Sequence, residues 1–306
     1  MTSLGRAPRS RRLLATPLLL LALAACDAGG PAGAAPSPSP STKPPPLQSV
    51  VVNAQVVAGL DQRIAIGIVN ADGVPVPDVE VLVQLQTLPS PGQPARVVAG
   101  PEPAPYRGAG LQGKGVYVVH QTFAQPGLYT ALVQASKNGV TTHTRSSFQV
   151  QPTDPTPAVG KPAPRTQNPT AAQADLRTLD TGVPPDDMHY TSVAAAIAAG
   201  HVTVVYFGAP GFCTSKLCAP EVQVLQGFEA AYHPRGVDFV HIETYRGGTP
   251  DNPDLTKATT NPYFDEWGLT TDPWVFVVDR QGNVAAKFDG PVEADEITPT
   301  LDRLLA

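Results

Sequence analysis

Val202-Thr-Val-Val-Tyr-Phe-Gly-Ala-Pro-Gly-Phe-Cys213-Thr-Ser-Lys-Leu-Cys218-Ala-Pro220 reads as an apolar strand running into a cysteine-bearing turn and then a helix. A short β-branched run without polar alternation suits a strand buried on both faces. Ala209-Pro-Gly211 breaks that run. Pro220 suits the first turn of a helix, because the N–H it lacks is one the helix would leave unpaired anyway. From Pro220 to Tyr232, Val222, Val224, Leu225 and Phe228 gather on one side, as an amphipathic helix requires. The chain has three cysteines, and Cys213 and Cys218 both fall in this stretch, five residues apart.

Outward from the turn the pattern keeps alternating. Ser192 to Ala199 reads as a short helix ended by Gly200, and Val237 to Glu243 as a strand. Residues 245–262 form a polar excursion with Gly247, Gly248, Pro250 and Pro253. A helical piece over Phe264–Leu269 follows, then strands over Trp274–Asp279 and Val284–Phe288 about a turn at 280–283, then a helix over Val292–Leu305. This order predicts an α/β fold with a parallel core and a hairpin edge over residues 175–306.

Residues 152–174 are rich in proline and read as a linker. Residues 48–151 carry short β-branched runs broken by Asp72-Gly73, Pro75, Pro77, Gly127 and Asn138-Gly139, with no ten-residue helical stripe. That spacing predicts an all-β antiparallel sandwich. Residues 27–47 are rich in Pro, Ala, Gly and Ser and read as a disordered spacer. The first 26 residues place Arg6, Arg9, Arg11 and Arg12 ahead of a short apolar run, Leu13 to Leu23, and Leu23-Ala-Ala-Cys26. A run this short is an export-signal core rather than a membrane span. Removing those four arginines leaves 17 basic against 26 acidic residues. With no basic cluster, a nucleic-acid partner is not expected.

Three resemblances add to this reading. Leu23-Ala-Ala-Cys26 resembles the bacterial lipobox, which implies cleavage before Cys26, its acylation, and anchoring on the outer face of the cell membrane. The strand–turn–helix at 202–220 resembles the redox segment of the thioredoxin family. So does Trp267-Gly-Leu-Thr-Thr-Asp-Pro273-Trp-Val-Phe-Val-Val-Asp279, which looks like the loop carrying that family's cis-proline. Residues 175–306 are most similar to thioredoxin-like domains of exported bacterial lipoproteins with widened cysteine spacing. Gly127-Leu-Tyr129-Thr-Ala131 resembles the tyrosine-corner segment of immunoglobulin-like domains, with Ala131 where a cysteine usually stands. The fold expected is therefore an immunoglobulin-like sandwich followed by a thioredoxin-like domain.

The thioredoxin resemblance implies thiol–disulfide exchange with exported proteins, Cys213 attacking and Cys218 resolving. Asp272, Pro273 and Trp274 would then border the substrate. A thiolate is the reactive species, a helix start stabilises it, and a second thiol resolves the mixed disulfide. Position at the helix start speaks for Cys218 as the attacking thiol, whereas family habit speaks for Cys213. The family's Cys-x2-Cys is Cys-x4-Cys here; on one helix the two side chains would point about 140° apart, so closure requires a non-helical intervening segment. No carboxylate occurs from His201 to Cys218, where thioredoxins proper carry one.

Two other readings stay open. A Cys213–Cys218 disulfide could be a structural staple in a non-catalytic binding or scaffold lipoprotein. A copper-handling protein would use both thiols, yet its usual histidine is missing, since no histidine follows His241. His241 in its apolar strand reads as a packed residue, while His189, His201 and His233 near turns read as solvated. A peroxiredoxin pattern fails because Gly211 stands where its proline belongs relative to Cys218. No cofactor and no metal ligand set is expected.

Overall fold

The computed structural model describes residues 46–89, 92–212, 218–249, 251, 256 and 258–306. The leader with Cys26, most of the spacer and Cys213 lie outside the described residues. The described chain is mostly β with few helices, and it falls in one compact unit.

The first half contains β1 (Leu47–Val51), β2 (Val56–Val57), β3 (Asp61–Asn70), β4 (Glu80–Thr87), β5 (Val97–Pro103), β6 (Tyr106–Arg107), β7 (Val116–Thr122), β8 (Gly127–Lys137) and β9 (Val140–Gln151). One sheet has the order β1-β3-β7-β6 and the other β2-β9-β8-β4-β5. Alternation puts Ile64, Ile66 and Tyr117 of the first sheet and Val81, Val83, Leu85, Ala131, Val133 and Ala135 of the second into one shared core. Lys137 pairs with Val140 across Asn138-Gly139, both at positive φ (52° and 77°), as a two-residue hairpin turn requires. The Tyr129 hydroxyl donates to the Gln125 carbonyl at 2.8 Å, the bond a tyrosine corner makes. Ala131 is fully buried, so this core closes without a cysteine at that position.

The second half contains α1 (Leu176–Leu179), α2 (Val193–Ala199), β10 (Val202–Gly208), α3 (Cys218–Tyr232), β11 (Val237–Glu243), β12 (Tyr245–Arg246), β13 (Thr259–Thr260), α4 (Pro262–Glu266), β14 (Trp274–Val278), β15 (Val284–Asp289) and α5 (Ala294–Leu305). Its sheet has the order β11-β10-β14-β15. β10 runs parallel to β11 and antiparallel to β14, so the parallel part is one strand pair. One face packs on Leu225 and Phe228 of α3 and Ile297 and Leu301 of α5; the other packs on Val193 and Ile197 of α2 and on Phe264 and Trp267. Ser192 caps α2 by accepting from Ala195 N, and Gly200 (φ 72°) ends it.

The proline-rich segment 152–174 lies along this half rather than standing clear of it. Ala163 N donates to the Gly282 carbonyl and Val284 N to that of Lys161. Trp267 Nε1 donates to Thr166 Oγ1 at 2.8 Å.

The two halves meet through buried polar contacts. Arg63 of β3 grips Glu296 of α5 with two bonds, at 2.6 and 3.0 Å. Asp289 at the end of β15 accepts from Ala54 N and Gln55 N, both on Oδ2, at 2.7 and 2.8 Å. Burial pushes the Asp289 carboxyl up to about 6, against those bonds and the nearby Arg63 charge. A raised folded pKa gives stability that is complete below the ordinary value of 3.8 and lost as pH rises through about 6. The gap corresponds to roughly 3 kcal/mol. Asp289→Asn can keep both N–H bonds on its single oxygen while removing the proton. Urea unfolding at pH 4 and pH 7 should then show the variant gaining on the native chain by up to that amount at the higher pH. A loss on going to pH 7 would refute the assignment.

Candidate functional site

β10 is buried along its whole length between two partners, so its C-terminal end is a fixed point in the sheet. The chain leaves it through Ala209–Phe212, where Phe212 N donates to the Ala209 carbonyl. It is described again from Cys218, the first residue of α3. Cys218 is fully buried, and the Tyr206 hydroxyl donates to its carbonyl at 3.4 Å. Helix α3 thus starts two residues earlier than the sequence suggests, with Pro220 inside the first turn, where its missing N–H still costs no helical bond. The segment joining Cys213 to Cys218 is outside the described residues.

The sheet register brings the second predicted segment to the same place. Trp274 pairs with Phe207, so Pro273 sits beside the end of β10. The Asp272–Pro273 peptide is cis. Asp272 is half-buried and Pro273 buried. Trp274 is 1% exposed and stacks on Phe276 at 5.5 Å, so its ring belongs to the core and not to a groove wall. Phe212 packs edge-on against Tyr245 at 5.5 Å, which sets the described start of the polar excursion beside the cysteine turn.

Behind this turn lies a buried polar cluster that the sequence did not reveal. Asp180 follows α1, Asp186 and His189 lie in the loop before α2, and His241 and Glu243 end β11. All five are buried. His189 was expected to be solvated; it is 2% exposed, because the loop 180–191 folds over the end of β11, with His241 N donating to the Met188 carbonyl. His241 lies as expected in a packed strand, its Nδ1 2.8 Å from Asp186 Oδ2 and its Nε2 3.2 Å from the Gly208 carbonyl. His189 Nε2 stands 3.3 Å from Asp186 Oδ1 and 3.7 Å from Asp180 Oδ2. Glu243 Oε2 accepts from Thr181 N and Oγ1, and Thr181 Oγ1 accepts in turn from Gly211 N at 2.9 Å. The cluster is therefore bonded to the backbone at both ends of the turn, Gly208 and Gly211.

Burial drives these groups toward neutrality, and their neighbours oppose it. For Asp186 burial is outweighed by the two histidines beside it, the His241 charge first, which hold its carboxyl far below the usual range. Burial would lower His241, but the Asp186 charge and hydrogen bond push it up to about 10. Burial lifts Glu243 to about 7 despite the His241 charge and the Thr181 bonds.

The stretch from His201 to Cys218 holds no carboxylate, and the buried ones of this cluster come from segments before and after it. A trace of them exists in the sequence, as Asp180-x5-Asp186-x2-His189 and His241-x-Glu243. Only the parallel pairing of β10 with β11 and the folding of the loop bring the two together.

No protein-family model matches the chain, and no curated protein matches it. Among solved structures, a Chlorobium tepidum thiol:disulfide interchange protein named DsbE superposes at 16% identity and a TM-score of 0.34, over 49% of this chain and 99% of its own. A thioredoxin-family thiol:disulfide interchange protein from Chlorobium tepidum TLS gives 17% identity and a TM-score of 0.28, over 51% of this chain and all of its own. A human PKD domain gives 15% identity and a TM-score of 0.22, over 40% of this chain and 98% of its own. These scores are all below 0.5, and the site is read from its own geometry.

Proposed function

We propose that this chain is an extracytoplasmic thiol–disulfide oxidoreductase, held on the outer face of the cell membrane through an acylated Cys26 and acting on exported proteins. In this reading residues 48–151 are an immunoglobulin-like module and residues 175–306 a thioredoxin-like domain. The observation that supports it most is Cys218, buried at the first turn of the helix that follows the central strand, with Pro273 brought to the same strand end. A thiol that a protein-sized substrate cannot reach suits the resolving role, which leaves attack to Cys213. The Cys213 thiolate attacks a substrate disulfide, forming a mixed disulfide and releasing one substrate thiol. Cys218 then attacks the Cys213 sulfur, releasing the second thiol and closing the Cys213–Cys218 bond. Two electrons pass from the protein to the substrate; run backwards, the same steps oxidise a dithiol.

Trapping tests it. In intact cells Cys218→Ala should accumulate mixed disulfides through Cys213 that dithiothreitol dissolves, and Cys213→Ala should accumulate none. The opposite pattern would exchange the two roles. Absence of adducts from either variant would refute exchange with protein substrates.

A further inference from the structure

We propose that Asp180, Asp186, His189 and His241 bind a single divalent transition-metal ion of the zinc type. The site would lie behind the cysteine turn and use neither cysteine. One ligand atom from each of the four residues lies within 4.8 Å of the others, and all four residues are buried. Two imidazoles with two carboxylates form the mixed nitrogen–oxygen set that zinc accepts. Tetrahedral zinc with bonds of about 2.0–2.1 Å keeps its ligand atoms roughly 3.3 Å apart. His189 Nε2 is 3.3 Å from Asp186 Oδ1 and 3.7 Å from Asp180 Oδ2, and His241 Nδ1 is 2.8 Å from Asp186 Oδ2.

The surroundings are those a metal site needs. The Gly208 carbonyl 3.2 Å from His241 Nε2 favours a proton on that nitrogen, so a bound ion would have to displace only the proton at Nδ1, 2.8 Å from Asp186. Backbone N–H groups of Gly182 and Met188 hold the two aspartates at 2.6 and 3.0 Å. His189 Nε2 is buried and aimed at both carboxylates without a hydrogen-bond partner. A nitrogen so placed is unexplained by a purely hydrogen-bonded cluster, in which it would donate to one of them. Charge argues the same way. A dication would balance the two aspartate carboxylates of the ligand set. An approach route exists, for a cavity of about 440 Å³ is lined by His189, His241, Glu243, Tyr245, Asn261 and Tyr263. The Glu243 Oε1 atom is buried without a hydrogen-bond partner in this wall, where it can receive a water of the entering ion.

This inference reverses the sequence-based expectation of no metal, and it holds whether or not the thiols exchange disulfides. The test uses the mature chain without a histidine tag, stripped with a chelator and titrated with Zn²⁺ by calorimetry and with Co²⁺ by absorption. One ion per chain should bind at micromolar affinity or tighter. Bound Co²⁺ should show the visible bands of a tetrahedral nitrogen–oxygen site and no sulfur charge-transfer band. The Cys213→Ser/Cys218→Ser double variant should bind unchanged, whereas His189→Ala and Asp180→Asn should each weaken binding at least a hundredfold. No stoichiometric binding would overturn the proposal. So would a sulfur charge-transfer band in the wild-type chain, a reading that does not depend on any variant folding.

Discussion

Cys213→Ser is expected to lower the rate of disulfide exchange by about a thousandfold or more, to the level of the uncatalysed reaction, while leaving the fold in place. The loss is large because a serine hydroxyl at neutral pH does not attack a disulfide, and no other thiol of the mature chain can replace it. Cys218 is buried, and Cys26 would be acylated under the proposed anchoring. The stability change should be small. Closing a ring of this size constrains the unfolded chain by about 2 kcal/mol under oxidising conditions, and by nothing once the thiols are reduced. The assay is reduction of a fluorogenic peptide disulfide, with thermal unfolding followed alongside. The staple reading makes the reverse prediction: no exchange activity in the native chain and a lower melting temperature in the variant. Measuring both separates the two.

Arg63→Ala is expected to cost about 3–5 kcal/mol of stability, the range for removing one partner of a buried ion pair. Arg63 and Glu296 side chains are 9% and 8% exposed. The guanidinium also donates to the Asp289 and Pro291 carbonyls, at 3.3 and 2.8 Å. Alanine therefore leaves a buried carboxylate without its counter-charge and withdraws a donor from two carbonyls. For a chain of this size the melting temperature should fall by about 10 °C. Arg63→Lys should recover part of the loss, since one ammonium restores the charge but not the two-pronged contact. A drop below about 2 °C for the alanine variant would show that the halves are joined mainly by other contacts.

The cluster behind the cysteine turn gives the two functional readings a common foundation. Gly211 is tied to Thr181 and so to Glu243, and Gly208 is tied to His241. Loop 180–191 thus holds the described part of the turn through Thr181.

Local pattern was enough for the elements. The apolar run at 202–208 became the fully buried central strand, Gly200 ended its helix, Asn138-Gly139 made its hairpin turn, and Tyr129 found the carbonyl of Gln125. Each depends on neighbours within a few residues, where side-chain periodicity and backbone preference act directly. The candidate site was legible only where it is local: Cys218 at a helix start, and Pro273 just before a strand. The companions of those residues were not. His189 looked like a surface histidine because nothing within ten residues shows that His241, fifty-two positions later, will lie against it. The proline-rich stretch 152–174 looked like a tether because its composition does not report that Thr166 will accept from Trp267. Periodicity and turn chemistry are written in short windows, so the sequence by itself determined the main strands and helices. Burial, ion pairing and the meeting of distant carboxylates and imidazoles depend on which strands pair, and that only the tertiary structure decided.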